Sequence, residues 1–156
     1  MAPYAGDEQG RFAPAPIDNR TMPAAVVIPQ LVYDDVAEAV RWLCDTFGLS
    51  LRWQAGDHRA QLAVPGGGCV VVTAGDSSSV LAGRNSILVR VGDVDAHHAR
   101  VSGRGATILA APADQPYGER QYTAEDLGGH QWSFSQSIAD VAPEDWGGRS
   151  GPALGG

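Results

Sequence analysis

The sequence predicts an α+β domain made of two tandem modules, each ordered strand, helix, strand, strand, strand. Three observations predict it. The same succession of alternating and helix-periodic apolar segments runs from Val26 to Ala74 and again from Ser86 to Ser135. Asp35-Val36, at the start of the first helix, recurs as Asp93-Val94, 58 residues on. The glycine pair Gly67-Gly68 recurs as Gly128-Gly129, 61 residues on, so the second module is about three residues longer. The repeat is one of pattern and punctuation, since identity between the halves is low.

Composition narrows the classes. A chain of 156 residues with 44% hydrophobic residues can bury one real core, so one domain is expected. The formal net charge is −7, lysine is absent and the arginines are scattered, which argues against a nucleic-acid partner. Cys44 and Cys69 make neither a disulfide framework nor a zinc site and are expected to pack as small hydrophobes. No apolar run approaches the ~18–20 residues of a membrane span. The N-terminus lacks the basic patch and apolar core of a signal peptide, so no membrane role and a cytoplasmic location are expected.

In chain order, residues 1–23 are rich in proline and alanine and read as an N-terminal tail that is flexible or lies across the surface. The domain proper is expected over 24–136. Val26–Tyr33 reads as the first strand, with Pro29 marking an edge or a bulge. Asp34-Asp35 open a helix that buries Val36, Val40, Leu43 and Phe47 and ends at Gly48. Leu49–Gln54 and His58–Val64 read as a hairpin, and Cys69–Ala74 as a buried strand that closes module one (24–75). A polar linker, 76–85, leads to module two (86–136). There Ser86–Val91 is a strand, Val94 to Gly103 a helix, and Thr107–Ala111, Glu119–Ala124 and His130–Ser135 are strands. The C-terminal tail, 137–156, carries Trp146, which is expected to dock on the body, and ends in fraying Gly, Pro and Ser.

The tandem modules, the Asp-Val helix starts and the closing Gly129-His130-Gln131-Trp132-Ser133-Phe134 strand resemble the vicinal oxygen chelate superfamily. That group comprises glyoxalases, bleomycin-resistance proteins and extradiol dioxygenases. The resemblance covers roughly residues 25–136 and is specific for fold rather than chemistry. It implies sheets curled into a concave half-barrel, helices outside, the ligand inside, and a homodimer whose pockets are completed by both chains. It also implies metal-ligand positions on the first and last strand of each module, which by register are Ile28, Val72, Ser86 and Ser133. None offers the imidazole, carboxylate or thiolate that a divalent metal favours, so no metal or other cofactor is expected.

No other catalytic constellation replaces that site. His97 and His98 are neighbours on a helix and read as a solvated surface, and His130 as a structural hydrogen-bonding residue. His58 has no evident partner. A nucleophile elbow, a phosphate loop and a dinucleotide fingerprint are all missing.

Strand alternation then sorts the faces. Val27, Leu31, Tyr33, Ile87, Val89 and Val91 are expected to face the helices. Ile28, Gln30, Val32, Val70, Val72, Ser86, Leu88, Arg90, Gln131, Ser133 and Ser135 are expected on the opposite, ligand-facing side. Gln30, Ser86, Arg90, Gln131 and Ser133, with Trp53, Tyr117 and Tyr122 near the rim, form the expected ligand site. Arg90 is suited to a carboxylate or phenolate. Glu119-Arg120 either closes over the pocket or pairs internally. The expected function is metal-independent binding of a small hydrophobic or aromatic molecule, with antibiotic sequestration implied by the resemblance. A glyoxalase-like lyase or isomerase, or a dioxygenase, with a displaced or absent metal site is the alternative.

Overall fold

The computed structural model describes residues 19–76, 78 and 86–152. The expected tail over 1–18, most of the linker and the fraying end at 153–156 lie outside the described residues. The elements are β1 (Gln30–Tyr33), α1 (Val36–Phe47), β2 (Ser50–Ala55), β3 (Arg59–Ala63), β4 (Cys69–Ala74), β5 (Ser86–Arg90), α2 (Val94–Gly103), β6 (Thr107–Asp114), β7 (Glu119–Glu125) and β8 (Gln131–Ser137), then a 3₁₀ turn (Pro143–Trp146). Among the described residues no helix is long and apolar enough to cross a membrane.

Each module forms its own four-stranded sheet, β1-β4-β3-β2 and β5-β8-β7-β6. The edge strands β1 and β5 run parallel to β4 and β8, and the other pairs are antiparallel. This is the predicted α+β repeat. The first strand is shorter than expected: pairing starts at Gln30, although the Pro29 carbonyl still accepts from the Val71 N–H. Val27, expected to face the helices, precedes the paired segment and is 80% exposed.

Local sequence explains the helices. Asp35 is extended (φ −129°) and accepts the Glu38 N–H at 2.9 Å, and Asp93 does the same for Ala96 at 3.0 Å. Helix α1 stops at Gly48, whose φ of 76° favours a residue without Cβ.

Helix α1 has no basic residue in its last turn, and α2 supplies what is missing. Arg100 donates to the Asp45 carbonyl at 3.0 Å. A side chain of one helix therefore caps the end of the other. Phe47 packs against Trp132 and Phe134 of β8, with ring centroids 5.2 and 5.1 Å apart. The helix-facing sides of both sheets therefore share one core, while their other faces point outward.

A second tie crosses the modules. Asp126, only 4% exposed, accepts the Tyr33 hydroxyl at 2.6 Å and the Trp132 indole N–H at 2.9 Å on one oxygen. Its other oxygen accepts the N–H groups of Gly128 and His130, at 2.9 and 3.0 Å. Burial and the adjacent Asp126 carboxylate push the Tyr33 phenol far above its ordinary pKa, so it stays a donor.

His97 corrects the solvated-surface expectation. It is half-buried, packs its ring at a tilt against Phe134 with centroids 4.2 Å apart, and shares a 2.6 Å hydrogen bond between Nδ1 and the Tyr122 hydroxyl. Its pKa is lowered by burial first and by Arg100 second, against the Phe47 backbone. A histidine depressed in the folded state binds protons more readily when unfolded, so acid favours unfolding. Stability is therefore expected to be full above the unfolded pKa of about 6.5 and to fall as pH drops below it. Melting curves from pH 8 to 5 check this: His97→Phe should flatten that limb, and an unchanged limb would remove His97 as its cause.

Candidate functional site

Alternation within each strand decides which side chains reach the outward faces. On the first sheet Gln30 pairs with Val71, Val71 with Gln61, and Gln61 with Trp53, giving one row across the face. The N-terminal segment lies against this row: Trp53 Nε1 donates to the Thr21 carbonyl at 3.0 Å, and Arg52 to the Arg20 carbonyl at 3.1 Å. Arg52 also bonds the Gln61 side-chain oxygen. Gln61 and Val71 are 2% and 3% exposed, so this face is largely covered by the chain's own residues.

Three assignments on this sheet need correction. Val72 pairs with Leu31, is fully buried and belongs to the helix-facing core, as does Val70. The register of β4 was displaced by one, and Val71 is the outward residue. Ile28, expected on the ligand-facing side, precedes β1 and is half-buried.

The second sheet keeps the predicted parity. Ile87 and Val89 pair with Trp132 and Phe134 over the core, which leaves Ser86, Leu88, Arg90, Gln131, Ser133 and Ser135 outward. Strand β7 adds Glu119, Gln121, Thr123 and Glu125, in register with Ser137, Ser135, Ser133 and Gln131. Outward residues of β7 and β8 are joined by hydrogen bonds. Tyr117 Oη donates to Gln121 Oε1 at 2.8 Å, Gln121 Nε2 to Ser135 Oγ at 3.0 Å, and Ser135 Oγ to Glu119 Oε1 at 2.9 Å. The hydroxyls of Thr123 and Ser133 meet at 2.9 Å. Arg90 is exposed and donates to Ser137 Oγ at 3.3 Å, with no acidic partner among the described residues.

Tyr122 is not part of this face. It alternates with Gln121 and Thr123, is 1% exposed, and stacks on Phe134 beneath the sheet. Glu119 and Arg120 neither close a pocket nor pair with each other. Glu119 turns into the polar network, whereas Arg120 bridges Asp95 of α2 and Asp114 of β6 at 3.1 and 2.9 Å. His130 is structural as expected, bonding the Val32 carbonyl at 2.8 Å. Trp146 docks as expected, edge-to-face with Tyr117 at 5.6 Å.

The structure thus gathers Ser86, Arg90, Tyr117, Gln131 and Ser133 on one sheet and leaves Gln30 and Trp53 on the other. Sequence reasoning missed Gln121 and Thr123, and gave Glu119 a different role. Their signal was available, because polar residues alternate along β7 as they do along β8.

A metal does not fit the positions that the resemblance offers. With the register corrected, the outward residues at the strand pairs are Gln30 and Val71 in one module and Ser86, Gln131 and Ser133 in the other. Amides and hydroxyls are weak donors for a divalent transition metal. Among the described residues no three His, Cys, Asp or Glu side chains converge on a metal-sized site. What the face can do is recognise an organic molecule, through fixed hydroxyl and amide groups beside aromatic rings.

Comparison with known proteins agrees with this architecture. Residues 24–134 match the family model described as Glyoxalase/Bleomycin resistance protein/Dioxygenase superfamily. The crystal structure of TioX from Micromonospora sp. ML1 is 34% identical, with a TM-score of 0.60 over 74% of this chain and all of that one. The fosfomycin resistance protein FosX from Listeria monocytogenes, in complex with Mn(II) and sulfate, shares the fold at 18% identity. Its TM-score is 0.60 over 81% of this chain and 98% of that one. An uncharacterized protein of Mycobacterium tuberculosis is 39% identical over 56 residues, 36% of this chain and 33% of that protein. The match spans about a third of the length of such curated relatives.

Proposed function

Because the chain belongs to the glyoxalase/bleomycin resistance protein/dioxygenase superfamily, we propose that it binds a small hydrophobic or aromatic molecule without a metal, and that it does so to sequester an antibiotic. The observation that carries the reading is the outward face of the second sheet. Hydrogen-bonded polar side chains lie there beside Tyr117 and Trp146, and the positions that could hold a metal carry amides and hydroxyls. Fixed polar groups beside apolar area suit binding: area supplies affinity and the polar groups orientation. A neighbour named for fosfomycin resistance and a family named in part for bleomycin resistance support the antibiotic reading.

The working form is a homodimer. Leu88, outward at the edge of the second sheet, is 61% exposed, and among the described residues it has room for an opposing wall. A second copy packing against the second sheet would supply that wall, whereas Gln30 and Trp53 lie on the first sheet, whose outward face the N-terminal segment covers.

Thermal melts of the purified protein with Ni, Zn, Fe and Mn, and with a panel of aromatic natural products, test the reading. A ligand at 100 times its Kd stabilises by about 2.7 kcal/mol, which is several degrees for a domain this size. The metals are expected to leave the midpoint unchanged, while at least one aromatic compound raises it. Stoichiometric metal in the purified protein, or stabilisation by one ion alone, would overturn the reading in favour of a metalloenzyme.

A further inference from the structure

We infer that the C-terminal segment is a built arm of the ligand site, and that Trp146 on it, with Tyr117, selects a planar aromatic ligand carrying a hydrogen-bond donor at its edge. This rests on the binding reading above and names its ligand class.

The segment after β8 is held at several points. The N–H groups of Ile138 and Ala139 both bond the Gly118 carbonyl, at 2.8 and 3.1 Å. Gly118 has a φ of 83°, and a Cβ there would overlap the Ala139 carbonyl oxygen, so the approach requires glycine. The 3₁₀ turn closes with Gly147 at φ 98° and a 2.7 Å bond from the Gly148 N–H to the Pro143 carbonyl. Glu144 accepts the Ser150 N–H and hydroxyl at 2.7 and 3.2 Å. This scaffold sets Trp146 against Tyr117 at an interplanar angle of 63° and leaves it 42% exposed. Trp53 and Trp132 each donate the indole N–H to a protein acceptor. Trp146 makes no hydrogen bond among the described residues, and its ring supplies stacking area at the rim of the polar face.

The polarity of the network specifies the ligand's edge. A carboxylate only accepts, so Ser135 must donate to Glu119. The Ser135 oxygen is then left to accept from Gln121, which fixes the amide with Nε2 toward Ser135 and Oε1 toward Tyr117. Tyr117 in turn spends its only proton on Gln121. Its oxygen faces the ligand as an acceptor, anchored through two side chains to a carboxylate. A ligand stacked on Trp146 gains a hydrogen bond there only by donating one.

Proflavine and acridine orange test this. Both are used as their 10-methyl cations, so neither carries a ring N–H; they share a planar cationic ring, but methylation removes the exocyclic N–H donors of acridine orange. Fluorescence titration of the full chain is expected to show proflavine bound about tenfold more tightly, about 1.4 kcal/mol. Trp146→Ala should weaken both dyes about tenfold, and Trp146→Phe should restore most of the loss. Tyr117→Phe should abolish the preference for proflavine while leaving acridine orange nearly unchanged. Melting midpoints near wild type would show that the variants fold. If wild type binds the dyes and Trp146→Ala binds them equally well, the arm has no such role and the binding reading stands. Equal affinity for the two dyes would overturn the donor requirement, and a wild type that binds neither dye would overturn the proposed ligand class.

Discussion

Replacing Asp126 by alanine is expected to destabilise the fold by about 3–5 kcal/mol, because a buried acceptor of four hydrogen bonds disappears while its donors stay buried. Those donors are the Tyr33 hydroxyl, the Trp132 indole, and the N–H groups of Gly128 and His130. Asparagine should rescue little. Each carboxylate oxygen serves two donors, so whichever position the amide nitrogen takes, it confronts two N–H or O–H groups. Tyr33→Phe removes one donor together with its need, and about 1 kcal/mol is expected. Since domains of this kind are stable by about 5–15 kcal/mol, the alanine variant sits near the threshold of folding. Urea unfolding measures all three. An alanine variant within about 1 kcal/mol of wild type would mean that the Tyr33–Asp126 tie, which spans 93 residues of sequence, does not hold the modules together.

The second large effect is expected from Leu88→Asp. Leu88 is outward on the edge strand β5 and contributes little to the core of its own chain, so the folded monomer should tolerate the change. In the proposed homodimer the same position is covered by the partner, and an unpaired carboxylate there costs several kcal/mol. Dimer dissociation is expected to become at least about 100-fold easier, equivalent to about 2.7 kcal/mol. Sedimentation velocity at micromolar protein reads this directly. Wild type should sediment as twice the 16.3 kDa chain and the variant as the single chain, with far-UV spectra unchanged. A wild type that is monomeric throughout, or a variant that remains dimeric, would refute the proposed pairing of outward faces.

Much of the fold was legible because the signals are local. Aspartate before valine sets a helix start through a side chain three residues from its target, and glycine after Phe47 sets the stop through φ. Period-two alternation gave the outward row of β5 and β8 correctly. It failed on β4, where Cys69, Val70, Val71 and Val72 are all buried. With one face covered by α1 and the other by the protein's own N-terminal segment, both faces read as apolar and the parity was lost. Tyr122 was misplaced for a related reason: an aromatic among polar neighbours looks like a rim residue, although its strand position sends it inward.

By itself the sequence determined the repeat, the helix boundaries, the family resemblance and the poor metal-ligand character of the positions that resemblance points to, because each depends on residue type at short range. Tertiary structure decided which residues meet across the repeat. Arg100 caps a helix from the other module, Asp126 gathers donors from both, and the Tyr117-to-Glu119 network meets a tryptophan from the C-terminal arm. Such contacts join residues far apart in the chain, and their geometry exists only once the two sheets have closed on a common core. No spacing along one chain encodes that distance.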